Sequence, residues 1–345
     1  MMKDRPTARY TPPFTLTADI LDRVAAISEL LGRWSISQHD IFTPQLRRGN
    51  QIRTIQASLA IENNTLSLEQ VTAVLEGKRV LGLPHEIQEV RNAFSAYARM
   101  AQWQPHSVAH LLQAHGMLMY GLVDNPGHFR QGGVGIYRDK RLIHMPPPAD
   151  RVPLLIRDLL TWCRTATVHP IIISCVFHYE FEFIHPFADG NGRMGRLWQS
   201  RLLSQWQPMF EFLPVESVIK ARQEEYYRAL SEADRCAEST PFVEFMLAAL
   251  LEAMREIHGV VEPDVGISPP VAALLTALYR NPPLKSAELM PLTGLRHRPT
   301  FRKNVLEPAL AAGWIAMSHP DSPRSPQQRY RLTAAGERLA AALRA

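Results

Sequence analysis

Residues 185–196 read His-Pro-Phe-Ala-Asp-Gly-Asn-Gly-Arg-Met-Gly-Arg, and few backbones can accommodate such a run. A base, a carboxylate, an amide, three glycines and two arginines fall together. Glycine admits φ > 0 and lets backbone amides approach a ligand closely. The run follows an apolar stretch, 171–184, whose length favours a buried helix, although its IIISCVF portion alone would suit a strand. If a helix also follows, Gly190, Asn191 and Gly192 form an anion cradle at its N-terminus, where amides and helix dipole act together. Arg193 and Arg196, three apart, share a helix face and can fork onto phosphate oxygens. Asp189 beside such a site suits Mg²⁺, a hard cation that takes one or two carboxylates plus substrate oxygens. His185 is then placed to act as general base on an entering nucleophile.

Two other readings compete. Residues 190–195 formally match G-x-G-x-x-G, but a dinucleotide site needs a preceding strand, a βαβ unit and an acid about 20 residues on. No strand–helix alternation surrounds this run. A glycine-rich structural loop with surface arginines is the other, and the co-occurrence of His185, Asp189 and both arginines argues against it.

The rest of the 345-residue chain reads as mostly helical, with room for two or three domains. An extended lead-in is expected at 10–14, where two prolines fix φ. Apolar periodicity predicts helices over 17–32, 51–61, from Ser67 with a Ser67–Gln70 capping box, then 84–101, 107–119, 152–163, 194–206, 216–236 and 241–257. Glycines at 127, 132, 133 and 135 interrupt this pattern. A β-hairpin is expected there, with strands at 134–137 and 142–145 around an Arg138-Asp139-Lys140 turn. Residues 258–268 carry Gly and Pro and few periodic apolars, which suggests a linker.

No apolar run of about 18 residues occurs, so no membrane span is expected, and the charged N-terminus is unlike a secretory signal. Cys163, Cys175 and Cys236 lack metal-ligand spacing and fit inert thiols in a reducing cytoplasm. Residues 268–345 hold 11 Lys or Arg against 4 Asp or Glu, a net +7 that leaves −2 for the remainder of a chain totalling +5. Any nucleic-acid argument therefore concerns that segment.

The run 185–196 resembles the Fic family motif H-P-F-x-[D/E]-G-N-G-R-x-x-R at every defined position. The resemblance implies a mainly α fold: a helical Fic core at 101–257 with a β-hairpin flap, preceded by an N-terminal helical region at 1–100. It also implies protein adenylyltransferase activity. His185 would deprotonate a Ser, Thr or Tyr hydroxyl of a target protein, which attacks the α-phosphate of ATP. Asp189 would hold Mg²⁺, Gly190, Asn191 and Gly192 would line the anion hole, and Arg193 and Arg196 would hold the β- and γ-phosphates. Phe187 would be a buried anchor. The flap strand Val134, Gly135, Ile136 and Tyr137 would border the nucleotide and pair with the target's extended segment. Tyr226 and Tyr227, with Asp234 where the family often has Asn, resemble the adenine-side helix; for the tyrosines, core packing is an equal alternative.

Ser58-Leu-Ala-Ile-Glu62-Asn63 resembles the family's inhibitory motif [S/T]-x-x-x-E-[G/N]. It implies that Glu62 pairs with Arg196 and keeps the enzyme off at rest; some relatives use this Glu to remove AMP instead. After a linker at 258–267, residues 268–345 resemble a winged helix, with Arg296, Arg298, Arg302 and Lys303 on its third helix. Such modules bind DNA or serve as docking or dimerisation units. The alternatives are a DNA-binding regulator with a Fic-derived nucleotide-sensing core, an enzyme acting chiefly as a deAMPylase, and transfer of UMP, phosphate or phosphocholine. A homodimer is a further possibility.

Overall fold

The computed structural model describes residues 10–36, 43–138, 141–261, 268–295, 297–320, 322 and 325–342. These fall into two compact units, 1–261 and 262–345.

The first unit is built around α7 (Pro170–Ile184). Pro170 suits the first helical turn, where its missing amide is no loss, and His169 caps the N-terminus by accepting from the Ile171 amide. The helix is largely apolar and almost entirely buried, and its buried polar side chains are hydrogen-bonded: Ser174 to Ile171 O, His178 to Gln199 and Tyr226, and Glu180 to Tyr10. Phe177 and Phe181 are completely buried, and each stabilises the unit by about 2–3 kcal/mol. The ambiguity between strand and helix at 171–177 is thus resolved as helix by its buried surroundings. Against α7 pack α6 (Val152–Thr165), α8 (Asn191–Trp206) and α11 (Thr240–Val261).

The N-terminal part joins the same core. Residues 10–17 are extended, tied down where the Ser239 amide donates to Pro13 O at 2.9 Å and the Thr15 amide to Thr240 Oγ1 at 2.8 Å. Then α1 (Ala18–Ile36) lies on α11. It runs through Gly32, where the end was expected: that glycine keeps helical backbone, so nothing there stops the helix. Helix α2 (Pro44–Ile61) begins seven residues earlier than its apolar pattern, because Thr43 accepts from the Leu46 amide and Pro44 starts the first turn. Helix α3 (Leu68–Leu75) starts with the anticipated capping box between Ser67 and Gln70. Next come α4 (Pro84–Arg99) and α5 (Val108–Leu118), packed together.

The hairpin comprises β1 (Ile136–Arg138) and β2 (Arg141–His144), antiparallel, with a register shift between Ile136 and Tyr137. Val134 and Gly135 precede the strand expected to hold them, and Arg138 belongs to β1 instead of the turn. Asp139 and Lys140 lie outside the described residues. The single helix expected over 216–236 is two, α9 (Val215–Ala221) and α10 (Gln223–Cys236). Arg222, at φ −112° and ψ 34°, breaks them without any Gly or Pro to announce it. Helix α11 reaches Val261, so the expected linker starts as helix, and 262–267 lie outside the described residues.

The second unit has its own core, around Leu274, Leu289, Phe301 and Val305. Helices α12 (Pro269–Arg280) and α13 (Ser286–Leu292) are followed by a turn at Gly294. A continuous helical segment then joins α14 (Arg298–Phe301), a π-turn (Arg302–Leu306) and α15 (Glu307–Ala311). The ribbon β3 (Ile315–Met317) and β4 (Tyr330–Leu332) and a last helix α16 (Ala334–Ala342) complete it. Leu284 bridges to Tyr330 beside the ribbon. Arg296 lies outside the described residues.

Candidate active site

Helix α7 ends where His185 turns left-handed, at φ 50°. A non-glycine residue held there is uncommon and needs surrounding support. Arg130 supplies it. This 6%-exposed arginine donates Nε to His185 O at 2.7 Å and Nη2 to Ile184 O at 3.3 Å, while its own amide donates to Pro186 O at 3.0 Å. It also reaches both ends of the hairpin segment, Nη1 to Gly132 O at 3.0 Å and Nη2 to Pro147 O at 2.5 Å. Burial lowers the His185 pKa to about 4, so its ring is neutral at ordinary pH, as a proton acceptor must be. Its Nδ1 is buried with no partner among the described residues.

The loop between α7 and α8 is stitched by reciprocal bonds. Asn191 Oδ1 accepts from the Phe187 amide and its Nδ2 donates to Phe187 O, both at 2.9 Å. Phe187 is fully buried beneath His115, whose ring stacks on it at 3.6 Å and 3°. His115 Nδ1 accepts from the Gly127 amide at 2.8 Å, which leaves Nε2 to donate to Asp189 O at 3.1 Å. Burial pushes the His115 pKa down to about 4, consistent with that single tautomer. Gly190, at φ 82°, is the N-cap of α8 and offers no capping side chain. A Cβ there would also meet Met119 Sδ at 2.6 Å. The first amides of this 16-residue helix are therefore left for another acceptor. Asp189 stands at the mouth, its side chain 60% exposed. Its Oδ1 accepts from the Gly190 amide at 2.6 Å and from Arg193 Nη2 at 3.1 Å.

Both arginines of the run are buried and already paired. Arg193 Nη1 meets Glu89 Oε1 at 2.7 Å. Arg196 donates Nε to Ser58 Oγ at 3.0 Å, and Nη2 to Ser58 O at 2.9 Å and Glu62 Oε1 at 2.8 Å. Burial opposes the charge on Arg196, but Glu62, Tyr226 and Glu182 around it outweigh that and push its pKa above the ordinary value. Its Nη1 has no partner among the described residues. Glu62 is the C-cap of α2, and Asn63 beside it takes φ 69°, a backbone region that Asn tolerates better than most residues. A Cβ at Gly192 would lie 2.3 Å from Glu62 Oε1 and 3.0 Å from Arg196 Nη1. The glycine thus makes the room that the carboxylate fills.

The adenine-side candidates separate. Tyr226 is buried, its hydroxyl 3.1 Å from His178 Nε2, and packs on Phe242. Tyr227 is 36% exposed and takes a 3.4 Å hydrogen bond from Gln223 Nε2. Both Asp234 oxygens are engaged, by the Tyr179 hydroxyl at 2.9 Å and by His144 Nδ1 at 3.1 Å. His144 Nε2 also donates to Phe183 O at 2.8 Å, so β2 is fastened to α7 and α10. Val134 and Gly135 lie half-buried ahead of β1, and Ile136 and Tyr137 are placed by their backbone in β1.

Sequence reasoning missed Arg130, His115, Glu89 and Glu182. No motif marks them; each lies on another element and meets the run only in the fold. Glu182 sits one turn before His185, and burial raises its pKa to about 8.

Comparisons with known proteins bear on the fold and the family. Residues 105–203 match the Fic/DOC family model, and residues 269–333 match that of the Filamentation induced by cAMP protein Fic-like, C-terminal domain. The protein adenylyltransferase Fic of Drosophila erecta is 29% identical over 209 residues, 56% of this chain and 39% of that protein. That of Drosophila virilis is 28% identical over 253 residues, 67% of this chain and 48% of that protein. This chain thus spans less than half the length of these curated relatives. The crystal structure of a Fic domain containing signaling protein from Bacteroides thetaiotaomicron, 18% identical with a TM-score of 0.59 over 69% of this chain and 97% of that one, shares the fold. The crystal structure of a Fic family protein from Desulfovibrio desulfuricans is 58% identical, with a TM-score of 0.71, over 94% of this chain and 99% of that chain. A likeness at that identity over nearly the full length of both chains, with the motif intact from His185 to Arg196, places this chain in the Fic family.

Proposed function

We propose that the chain is a protein adenylyltransferase that holds itself off at rest. The observation that carries this reading is a neutral, half-buried His185 beside an uncapped, glycine-lined helix N-terminus. The name borne by the Drosophila relatives supports it. A target Ser, Thr or Tyr hydroxyl gives its proton to His185 as its oxygen bonds to the α-phosphorus of ATP. The bond from that phosphorus to the bridging oxygen breaks, and pyrophosphate leaves. In the anion hole of Gly190, Asn191 and Gly192, the Asn191 and Gly192 amides bind the phosphate oxygens with Arg193 and, once released from Glu62, Arg196; such preorganised amides need no rearrangement as charge develops. Asp189 fits Mg²⁺: it is an exposed carboxylate whose Oδ2 has no partner among the described residues, and that cation takes its remaining ligands from phosphate and water. The ion, when bound, neutralises phosphate charge. Val134, Gly135, Ile136 and Tyr137 border the nucleotide, and the hairpin edge pairs with the target. Tyr227 is the exposed partner for the nucleoside.

Ser58, Glu62 and Asn63 form the inhibitory element. While Glu62 holds Arg196, the γ-phosphate lacks its arginine and ATP binds unproductively. Mass spectrometry of the Glu62→Gly variant incubated with ATP and Mg²⁺ should find one AMP, less water, on a hydroxyl side chain. His185→Ala should abolish that adduct, about a hundredfold or more, while keeping the thermal transition. An undiminished adduct in this variant would refute the reading.

For the second unit, the order of helices and ribbon reads as a winged helix. Arg298, Arg302, Lys303, Arg329 and Arg331 are exposed on its third helix and ribbon, which favours a duplex-DNA partner for it. Affinity in a mobility-shift titration should then fall steeply with salt; salt-insensitive binding or none would exclude it. No helix among the described residues is long and apolar enough to cross a membrane. Cys163 and Cys175 are free and buried, and we place the chain in the cytoplasm.

A further inference from the structure

A helix leaves its last four carbonyls without helical partners, and at the end of α2 all four are met. Leu59 O takes the amides of Glu62 and Asn64, at 3.0 and 3.1 Å. The remaining three draw on side chains from other helices. Ser58 O takes Arg196 Nη2 at 2.9 Å from α8. Ala60 O takes Lys220 Nζ at 2.8 Å from α9, beside a longer 3.2 Å bond from the Asn63 amide. Ile61 O takes Gln223 Nε2 at 3.0 Å from α10. Lys220 Nζ also donates to Gln223 Oε1 at 2.8 Å, which ties the two anchors to each other.

Arg196 is the one anchor with another proposed task, since it must leave for phosphate. Lys220 and Gln223 make no such exchange. An ammonium at a helix C-terminus is favoured by the helix dipole as well as by its hydrogen bond. Both anchors flank the α9–α10 break at Arg222, and Gln223 also bonds to Tyr227. The carboxylate at the end of α2 can sit at Arg196 only if the last turn is fixed in height and rotation, and these two side chains fix it. We propose that Lys220, with Gln223, is the positioning latch of the inhibitory helix: it holds Glu62 against Arg196. The inference rests on the self-inhibited reading of the site.

The test uses the full chain and two readouts. Lys220→Met keeps the aliphatic stem and removes the donor. Amide hydrogen exchange at Glu62, Asn63 and Asn64 should accelerate about tenfold in this variant, and AMP incorporation from labelled ATP should rise about tenfold (about 1.4 kcal/mol). In a Glu62→Gly background the same change should add nothing, because there is no carboxylate left to position. A purely structural lysine would lower activity in both backgrounds. Unchanged exchange at 62–64, or an equal gain with and without Glu62, would overturn the latch. If exchange accelerates but Glu62→Gly itself gives no rise in transfer, the latch holds its helix end and the self-inhibited reading is what falls. Gln223→Ala, which removes the Ile61 bond, the link to Lys220 and the long bond to the Tyr227 hydroxyl, should reproduce the faster exchange at 62–64 at smaller size.

Discussion

Two walls flank the N-terminus of α8, and each meets an arginine of the run with a glutamate. On the α4 wall, Glu89 is 14% exposed, and both its oxygens are engaged, by Arg193 at 2.7 Å and by Asn64 Nδ2 at 2.7 Å. Asn64 is in turn bonded to Glu86 O at 3.2 Å. On the α2 wall, Glu62 is 32% exposed and offers one oxygen; the arginines do not differ in this way, since Arg193 Nε and Arg196 Nη1 are each buried with no partner among the described residues. The chemistry is the same, but one carboxylate has a full set of partners and the other does not. A carboxylate held through both oxygens is a strut. One held through a single oxygen at a helix end can be exchanged for another anion.

The sharpest way to break this contrast is to remove each carboxylate. Stripping one partner from a buried ion pair is worth about 3–5 kcal/mol, so Glu62→Gly should raise AMP transfer about a hundredfold or more. Glu89→Ala should raise nothing and should cost about 3 kcal/mol of stability. Labelled-ATP incorporation and thermal unfolding separate the two, and parallel behaviour would end the distinction. Arg130 tests the ground common to both walls. Arg130→Met should leave the Ile184 and His185 carbonyls unpartnered and slow transfer about thirtyfold, about 2 kcal/mol, in kcat more than KM. A change confined to KM would show that the arginine does not govern His185.

The smallest effect is a pH dependence on the Arg196 side. Glu182, with its pKa raised by burial to about 8, holds its proton in the folded state and releases it on unfolding. Its effect on stability is therefore neutral at low pH and increasingly unfavourable as pH rises from the ordinary carboxylate range toward 8. Glu182→Gln mimics the protonated form. It should match the parent near pH 5 and be more stable at pH 8, on the order of 1–2 kcal/mol. Buried His115 and half-buried His185 act in the opposite sense: desolvation lowers each pKa to about 4, so they cost stability as pH falls below about 6.5. Coincident stability curves for parent and Glu182→Gln across this range would show that Glu182 is ionised in the fold.

What the sequence revealed, it revealed through local pattern. The run 185–196, the capping box at Ser67 and the helix bearing Ser58 and Glu62 are each written within a few residues. The residues that make the site work as one object are scattered. Arg130 precedes His185 by more than fifty positions and Lys220 follows Glu62 by more than one hundred and fifty, and a single sequence offers no signal linking them. The break at Arg222 was hidden for a related reason: it depends on how α9 and α10 pack, with no residue of special backbone preference. The fates of Tyr226 and Tyr227 likewise differ by one position on a helix, which turns one inward and the other outward.

Gly192 has a consequence for dose. The space opened by its missing methyl is occupied by the Glu62 carboxylate, 2.3 Å from where a Cβ would sit. On the self-inhibited reading, Glu62 is a competing ligand carried on the same chain. Its local concentration is fixed by its tether, on the order of millimolar or more, and dilution of the protein does not change it. Raising ATP shifts the competition only in proportion, so an efficient release acts on the tether.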